Sequence, residues 1–349
     1  MNLLRHASGF AAWLRGRLGR VVVASYAAAL VLPLPGLWLR RPHALVAGDA
    51  GLAIHVPPVL LGTLLFSAGF QIRFTALRGL LRRPYSVVAA LGLRLALPLV
   101  LIPVLVVLLR QTPDSDHGSG IITSLVLIMA MPVAANATVW TAKGEGDQPT
   151  MVATVLGSTV LSPLTTPLLI GALALLLPAH AADALSFAAT AAGNGVALSS
   201  IVLPCAAGFV LRSVLPAARG ALLGDAFAAV ALLASVVTTY INASSALAPC
   251  LAHPRPLLIV SGIVVAATMC GASFLLGHVA GAALRLSSSG RSSLALACGM
   301  SNSSAGAVLI SAAVPSKPYL LLPVLVYGLV QKSAANLVVR RTRPLPSLS

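Results

Sequence analysis

Two short segments interrupt otherwise apolar stretches of this chain and hold the side chains best suited to chemistry. Met131-Pro132-Val133-Ala134-Ala135-Asn136-Ala137-Thr138 carries Asn136 and Thr138, and Gly299-Met300-Ser301-Asn302-Ser303-Ser304-Ala305-Gly306 carries Ser301, Asn302 and Ser303. Neutral amides and hydroxyls of this kind hydrogen-bond a small molecule without adding charge. The first segment contains a helix-breaking proline and the second two glycines. Backbone freed at bilayer depth persists only where protein or a water-filled cavity surrounds it. Two ionised side chains also fall inside apolar runs: Arg94, between Leu93 and Leu95, and Lys332. Such a charge costs roughly 2.5–3.5 kcal/mol at mid-membrane on insertion scales, so it faces a cavity or a partner. Lys332 has the alternative of snorkelling to the cytoplasmic interface. Catalytic chemistry is not indicated: His55, His180, His253 and His278 have no paired carboxylate, GxSxG context or metal spacing. Nor do Cys205, Cys250, Cys270 and Cys298 form a CxxC pair.

The elements that must position these residues are membrane helices. Of 349 residues, 58% are hydrophobic and 9% charged, against about a quarter charged in soluble domains. Ten apolar runs, at about 21–39, 53–72, 85–109, 120–142, 150–178, 186–211, 221–247, 257–284, 293–313 and 319–339, are each long enough to cross a bilayer. They show no period-two alternation, which argues against a β-barrel. The net charge of +16 comes from connectors, not from a nucleic-acid motif. Sixteen of the 23 Lys and Arg residues lie in one alternate set of connectors and five in the other, which places both termini in the cytoplasm, in a multi-pass protein of the cell (inner) membrane. Residues 1–20 are a basic cytoplasmic segment, either an interfacial helix or a targeting peptide. Residues 340–349 form a cytoplasmic tail. Asn136 and Asn302 are 166 residues apart, and five spans per half insert in opposite senses. The expected fold is thus all-α transmembrane, ten helices as two inverted five-helix repeats, 21–178 and 186–339. One broken crossover helix in each half points to a transporter site.

These segments resemble the crossover helices of the bile acid:sodium symporter family. The likeness extends to Leu65-Phe66-Ser67-Ala68-Gly69-Phe70-Gln71 with Arg82-Arg83-Pro84, to Ala142-Lys143-Gly144 and Ser162-Pro163-Leu164-Thr165-Thr166-Pro167, to Tyr240-Ile241-Asn242-Ala243-Ser244, and to Tyr327-Gly328-Leu329-Val330-Gln331. It covers about residues 50–339 in the family's order. Auxin-efflux-like carriers share the ten-span plan and a similar fourth-span break.

The resemblance implies a panel domain from spans 1, 2, 6 and 7, a core domain from the other six, and an organic anion bound between them. Its substrate-facing residues would be Asn136, Thr138, Ser301, Asn302 and Ser303, with Tyr240, Asn242, Phe70 and Gln71 lining the panel side. Gln331 would bridge helices inside the core. Sodium would sit near Asn136, Met300 and Ser301, but the family's glutamate, glutamine and serine are replaced here by Ala297, Ser301 and Ala135. No carboxylate falls near the midplane to compensate: Asp49, Asp114, Asp116 and Asp183 are external, Glu145 and Asp147 lie in a cytoplasmic loop, and Asp225 lies near a cytoplasmic end. Arg94 is expected at the sodium position, a fixed cation in place of a mobile one. No other cofactor is expected, and sodium is left open. A channel or substrate sensor on the same fold is the competing function. Which anion is carried, in which direction, and the oligomeric state are not legible.

Overall fold

The computed structural model describes residues 2–41, 43–44, 53–54, 56–71, 84–109, 119–177, 182, 185–186, 189–190, 203–252, 256–313 and 320–342. They are almost wholly helical, apart from a two-residue antiparallel ladder, β1 (His43–Ala44) with β2 (Ala53–Ile54). The helices are α1 (Asn2–Val31), α2 (Pro33–Arg40), α3 (Val56–Phe70), α4 (Pro84–Leu109), α5 (Ser119–Ala130), α6 (Ala137–Lys143), α7 (Gln148–Ala174), α8 (Leu203–Val214), α9 (Ala217–Ala252), α10 (Pro256–Ala283), α11 (Ser288–Gly299), α12 (Ser303–Ala313) and α13 (Leu321–Thr342). Most of the expected sixth span, and Asp49, Asp114, Asp116, Asp183, Arg82 and Arg83, lie outside the described residues.

Among the described residues, five helices are long and apolar enough to cross a membrane: Tyr85–Leu109, Gln148–Ala174, Leu222–Ala248, Pro256–Ala283 and Leu321–Arg340. The bent pair Arg20–Val31 with Pro33–Arg40 makes a sixth. Their outer faces stay apolar, as Val100, Val104 and Leu108 on α4 and Leu164 and Leu168 on α7 illustrate; in water such faces would be costly, in lipid they are the solvated side. The chain is an integral, multi-pass membrane protein.

The first span departs from the straight run expected over 21–39. Helix α1 starts at Asn2 without a break near residue 20, and the chain turns by 95° at Leu32. Pro33 and Pro35 have no N–H to continue the ladder, so the preceding carbonyls need other donors. The Tyr240 hydroxyl donates to the Leu32 carbonyl at 2.5 Å, and Gly36 lets α2 lie against Ser244.

Turns before the interior helices use one device twice. Gly146 N–H donates to Thr141 and Glu145 N–H to Ala142; Leu286 N–H donates to Gly281 and Arg285 N–H to Ala282. These are paired Schellman bonds, with Glu145 and Arg285 both at φ 53° in the left-handed position. Two residues later a capping side chain starts the next helix. Asp147 accepts from Thr150 N–H, and Ser287 accepts from Gly290 N–H.

Helices α1, α2 and α3 pack on α9, and α8 packs on α3, where Gly69 and Gly208 bring the two backbones together. The other helices form a second group around α13, with α10 against α11 and α4 against α7. The two groups meet where α9 touches α12 and α13, where α3 touches α12, and where Tyr26 donates to the Leu325 carbonyl.

Candidate functional site: a crossing of two interrupted helices

Helix α5 ends at Ala130 and α6 resumes at Ala137; α11 ends at Gly299 and α12 resumes at Ser303. Between these ends the unwound strands run antiparallel and pair. Ala134 N–H donates to the Met300 carbonyl and Asn302 N–H to the Pro132 carbonyl, each at 3.0 Å, around the bridge Val133–Ser301. Each break thus supplies the backbone partners the other lost by leaving the helix, as bilayer depth requires. Val133 N–H finds the Ser158 hydroxyl at 3.1 Å, Ser301 N–H finds Gln331 Oε1 at 2.9 Å, and Thr166 donates to the Ala130 carbonyl.

Two helix C-termini and two N-termini therefore converge at one point, and Arg94 sits on the C-terminal side. It projects from α4, is 4% exposed, and donates to the Met131 carbonyl at 2.7 Å, the Cys298 carbonyl at 3.1 Å and the Ser301 hydroxyl at 2.6 Å. All three partners are neutral. The electrostatics nevertheless close, because each helix C-terminus carries about −0.5 of an elementary charge. The ends of α5 and α11 together offset one guanidinium. Tyr327 lies alongside and donates to the Gly299 carbonyl. Arg94 Nε has no partner among the described residues, and a small cavity bordered by Leu91, Arg94, Leu95, Met129, Ser158 and Leu161 adjoins it.

The N-terminal side carries the other polar residues. Asn302 caps α12 by accepting from Ala305 N–H at 3.1 Å, and Ser303 follows it, half-buried, 3.5 Å from Gln331 Nε2. Asn136 precedes α6 but makes no capping bond, and its Oδ1 is buried without a partner among the described residues. Thr138 donates to the Ala135 carbonyl. Met300 is fully buried, its backbone engaged in the crossing.

The structure gathers Arg94, Asn136, Thr138, Met300, Ser301, Asn302 and Ser303 around this crossing. Other residues named from the sequence lie elsewhere. Phe70 is 1% exposed, its ring centroid 4.7 Å from that of Phe227, with Phe66 completing the cluster. Gln71 is exposed and donates back to Ser67. Tyr240 is committed to the bend at Leu32, and Asn242, two residues on and turned to nearly the opposite face of α9, is 7% exposed. Sequence reading missed Ser158 and named Thr166 and Tyr327 only within stretches that resemble the family, not as site residues. A signal existed for the first two, since Thr150, Thr154, Ser158, Ser162 and Thr166 recur every four residues as a buried polar stripe on α7.

A sodium ion would need the oxygens that Arg94 already holds. Two carbonyls and a hydroxyl there are taken by its N–H groups, Ala297 has no side-chain oxygen, and no cluster of acidic or other metal-binding side chains lies among the described residues. The residues present do not fit sodium at that point.

No curated protein matches the sequence. The family model of the Sodium Bile acid symporter family matches residues 58–251, more than half of the chain. The chain belongs to the sodium bile acid symporter family, whose members are transporters and not enzymes.

Proposed function

We propose that the protein is a secondary active transporter that carries an organic anion by alternating access, and that Arg94 replaces the coupling sodium with a tethered positive charge. One observation carries this reading: a single buried guanidinium bonds both interrupted helices at their C-terminal ends. A mobile cation would be drawn to the same carbonyls, and the fixed one makes it unnecessary there. With the C-termini neutralised, the end of the crossing that attracts an anion is the N-terminus of α12, flanked by Asn302 and Ser303.

In the same reading the ten spans form two inverted repeats. Helices α4 to α7 and α10 to α13 make the core, and α1, α2, α3, α8 and α9 make the panel. The small-molecule site lies between them, and core movement against the panel exposes it to each side in turn. Both termini are cytoplasmic in the cell membrane.

The test is exchange in proteoliposomes preloaded with unlabelled anion, using cholate, taurocholate and benzoate as probes, in sodium-free and sodium-containing buffer. Saturable exchange that does not change when sodium is added is the expected result. Strict sodium dependence of the wild-type protein, or ohmic current in place of exchange, overturns the proposal.

A further inference from the structure

The two terminal nitrogens of Arg94 are held by carbonyls and a hydroxyl, and a second cation stands at the same depth. Lys332 follows Gln331, whose amide oxygen takes the Ser301 N–H of the crossing, so its Cα lies within about 1.5 Å of that level along α13. Lys332 is half-buried and has no hydrogen bond or ion pair among the described residues. Arg340, at the cytoplasmic end of the span, is eight residues on, about 12 Å along the helix axis. That is more than a four-carbon stem covers, so snorkelling does not bring the ammonium to the interface.

The direction it faces follows from helical periodicity. Leu325, Gly328 and Lys332 are spaced i, i+3 and i+7 and share one face. That face is turned to the start of α12 and to α1: a Gly328 Cβ would lie 3.1 Å from the Ser303 hydroxyl and 3.9 Å from that of Tyr26, which donates to the Leu325 carbonyl at 3.0 Å. Helix α1 packs chiefly on α9 and touches α13 through the Tyr26 hydroxyl. Lys332 thus lies one turn to the cytoplasmic side of the point where the two helix groups touch. Asn336, also half-buried and without a partner among the described residues, follows at i+4. The acidic residues described elsewhere do not serve it: Glu145 and Asp147 belong to the turn before α7, and Asp225 is exposed near the start of α9.

We propose that Lys332 is the counter-charge for the transported anion, holding its carboxylate or sulfonate in the seam between α1 and α13, with Asn336 donating from one turn further on. A single free ammonium selects organic monoanions over dianions, because the second charge of a dicarboxylate finds no partner. The proposal rests on the carrier reading, but its test separates the two.

Binding of benzoate, cholate, taurocholate and succinate to purified protein is measured by titration calorimetry for wild type, Lys332→Gln and Lys332→Arg. At least one monoanion binds wild type more tightly than succinate does, Lys332→Gln weakens it by about tenfold to a hundredfold, and Lys332→Arg retains most of the affinity. Wild-type affinity in Lys332→Gln, or no binding of any monoanion to wild type, overturns the assignment. Should Lys332→Gln not fold, Lys332→Cys decides. Modification by a sulfonated methanethiosulfonate, slowed by the bound monoanion, supports the site, and inertness refutes it. Binding lost in Lys332→Gln without exchange by wild type sinks the carrier reading alone. Exchange with an unchanged KM in Lys332→Gln sinks only the present one.

Discussion

Replacing Arg94 by glutamine removes a charge that joins three segments far apart in sequence. Its donors reach the Met131 carbonyl, the Cys298 carbonyl and Ser301, and side-chain hydrogen bonds inside membrane proteins average about 0.6 kcal/mol and reach about 1.7. Three of them are worth about 2–5 kcal/mol, toward the upper end because two converging helix ends lose the charge that offsets them. Equilibrium unfolding in mixed detergent micelles measures this loss. The loss alone does not separate charge from packing, so sodium provides the second readout. With the guanidinium gone, the freed carbonyls attract a small cation, and sodium at ten times its Kd restores about 1.4 kcal/mol. Choline at equal ionic strength restores nothing. The wild-type protein, whose site is filled by its own side chain, is indifferent to the exchange of sodium for choline. Two results refute the reasoning: a variant within about 0.5 kcal/mol of wild type, in the range of ordinary surface substitutions, or equal sodium stabilisation of both proteins.

Further outcomes follow from other contacts. Gln331→Leu leaves the Ser301 N–H of the crossing buried without an acceptor and lowers unfolding stability by about 1–3 kcal/mol in the same micelle assay. Gly69→Ala and Gly208→Ala each drive a methyl group into a backbone carbonyl, of Cys205 and Phe66 respectively, and lower the melting temperature through a cost of about 1–3 kcal/mol. Asp147→Ala removes the cap of α7, where one carboxylate takes both Thr150 N–H and its hydroxyl, and costs about 0.5–2 kcal/mol, read by thermal unfolding.

The interruption at Pro132 is legible because proline removes a donor whatever the surroundings. The second is legible from Gly299 and Gly306, but the backbone unwinds at Met300 to Asn302 between them, since the pairing strand fixes the register. Arg94 stands out as a charge inside an apolar run. Its partners do not, because two are backbone carbonyls, which carry no sequence signature, and their exposure depends on where α5 and α11 stop. The bend at Leu32 was signalled by Pro33 and Pro35, yet the run around them is uniformly apolar and reads as a straight span; the Tyr240 contact that completes it is 208 residues away. Phe70 and Gln71 share a stretch that resembles the family, but their packing is decided by Phe227 and Ser67, on which sequence order is silent.

The whole account depends on two unwound strands meeting inside the bilayer. Val133 and Ser301 form a bridge flanked by hydrogen bonds rather than joined by them, the closer kind of antiparallel pair, with Cα atoms about 4.5 Å apart. That separation suits a disulfide. The decisive measurement is mild oxidation, in native membranes, of a Val133→Cys, Ser301→Cys double variant whose four native cysteines are replaced by alanine. A mass two hydrogens lighter, with the two tryptic fragments joined, is the expected result. Separate fragments from a protein that remains folded contradict the crossing and everything built on it.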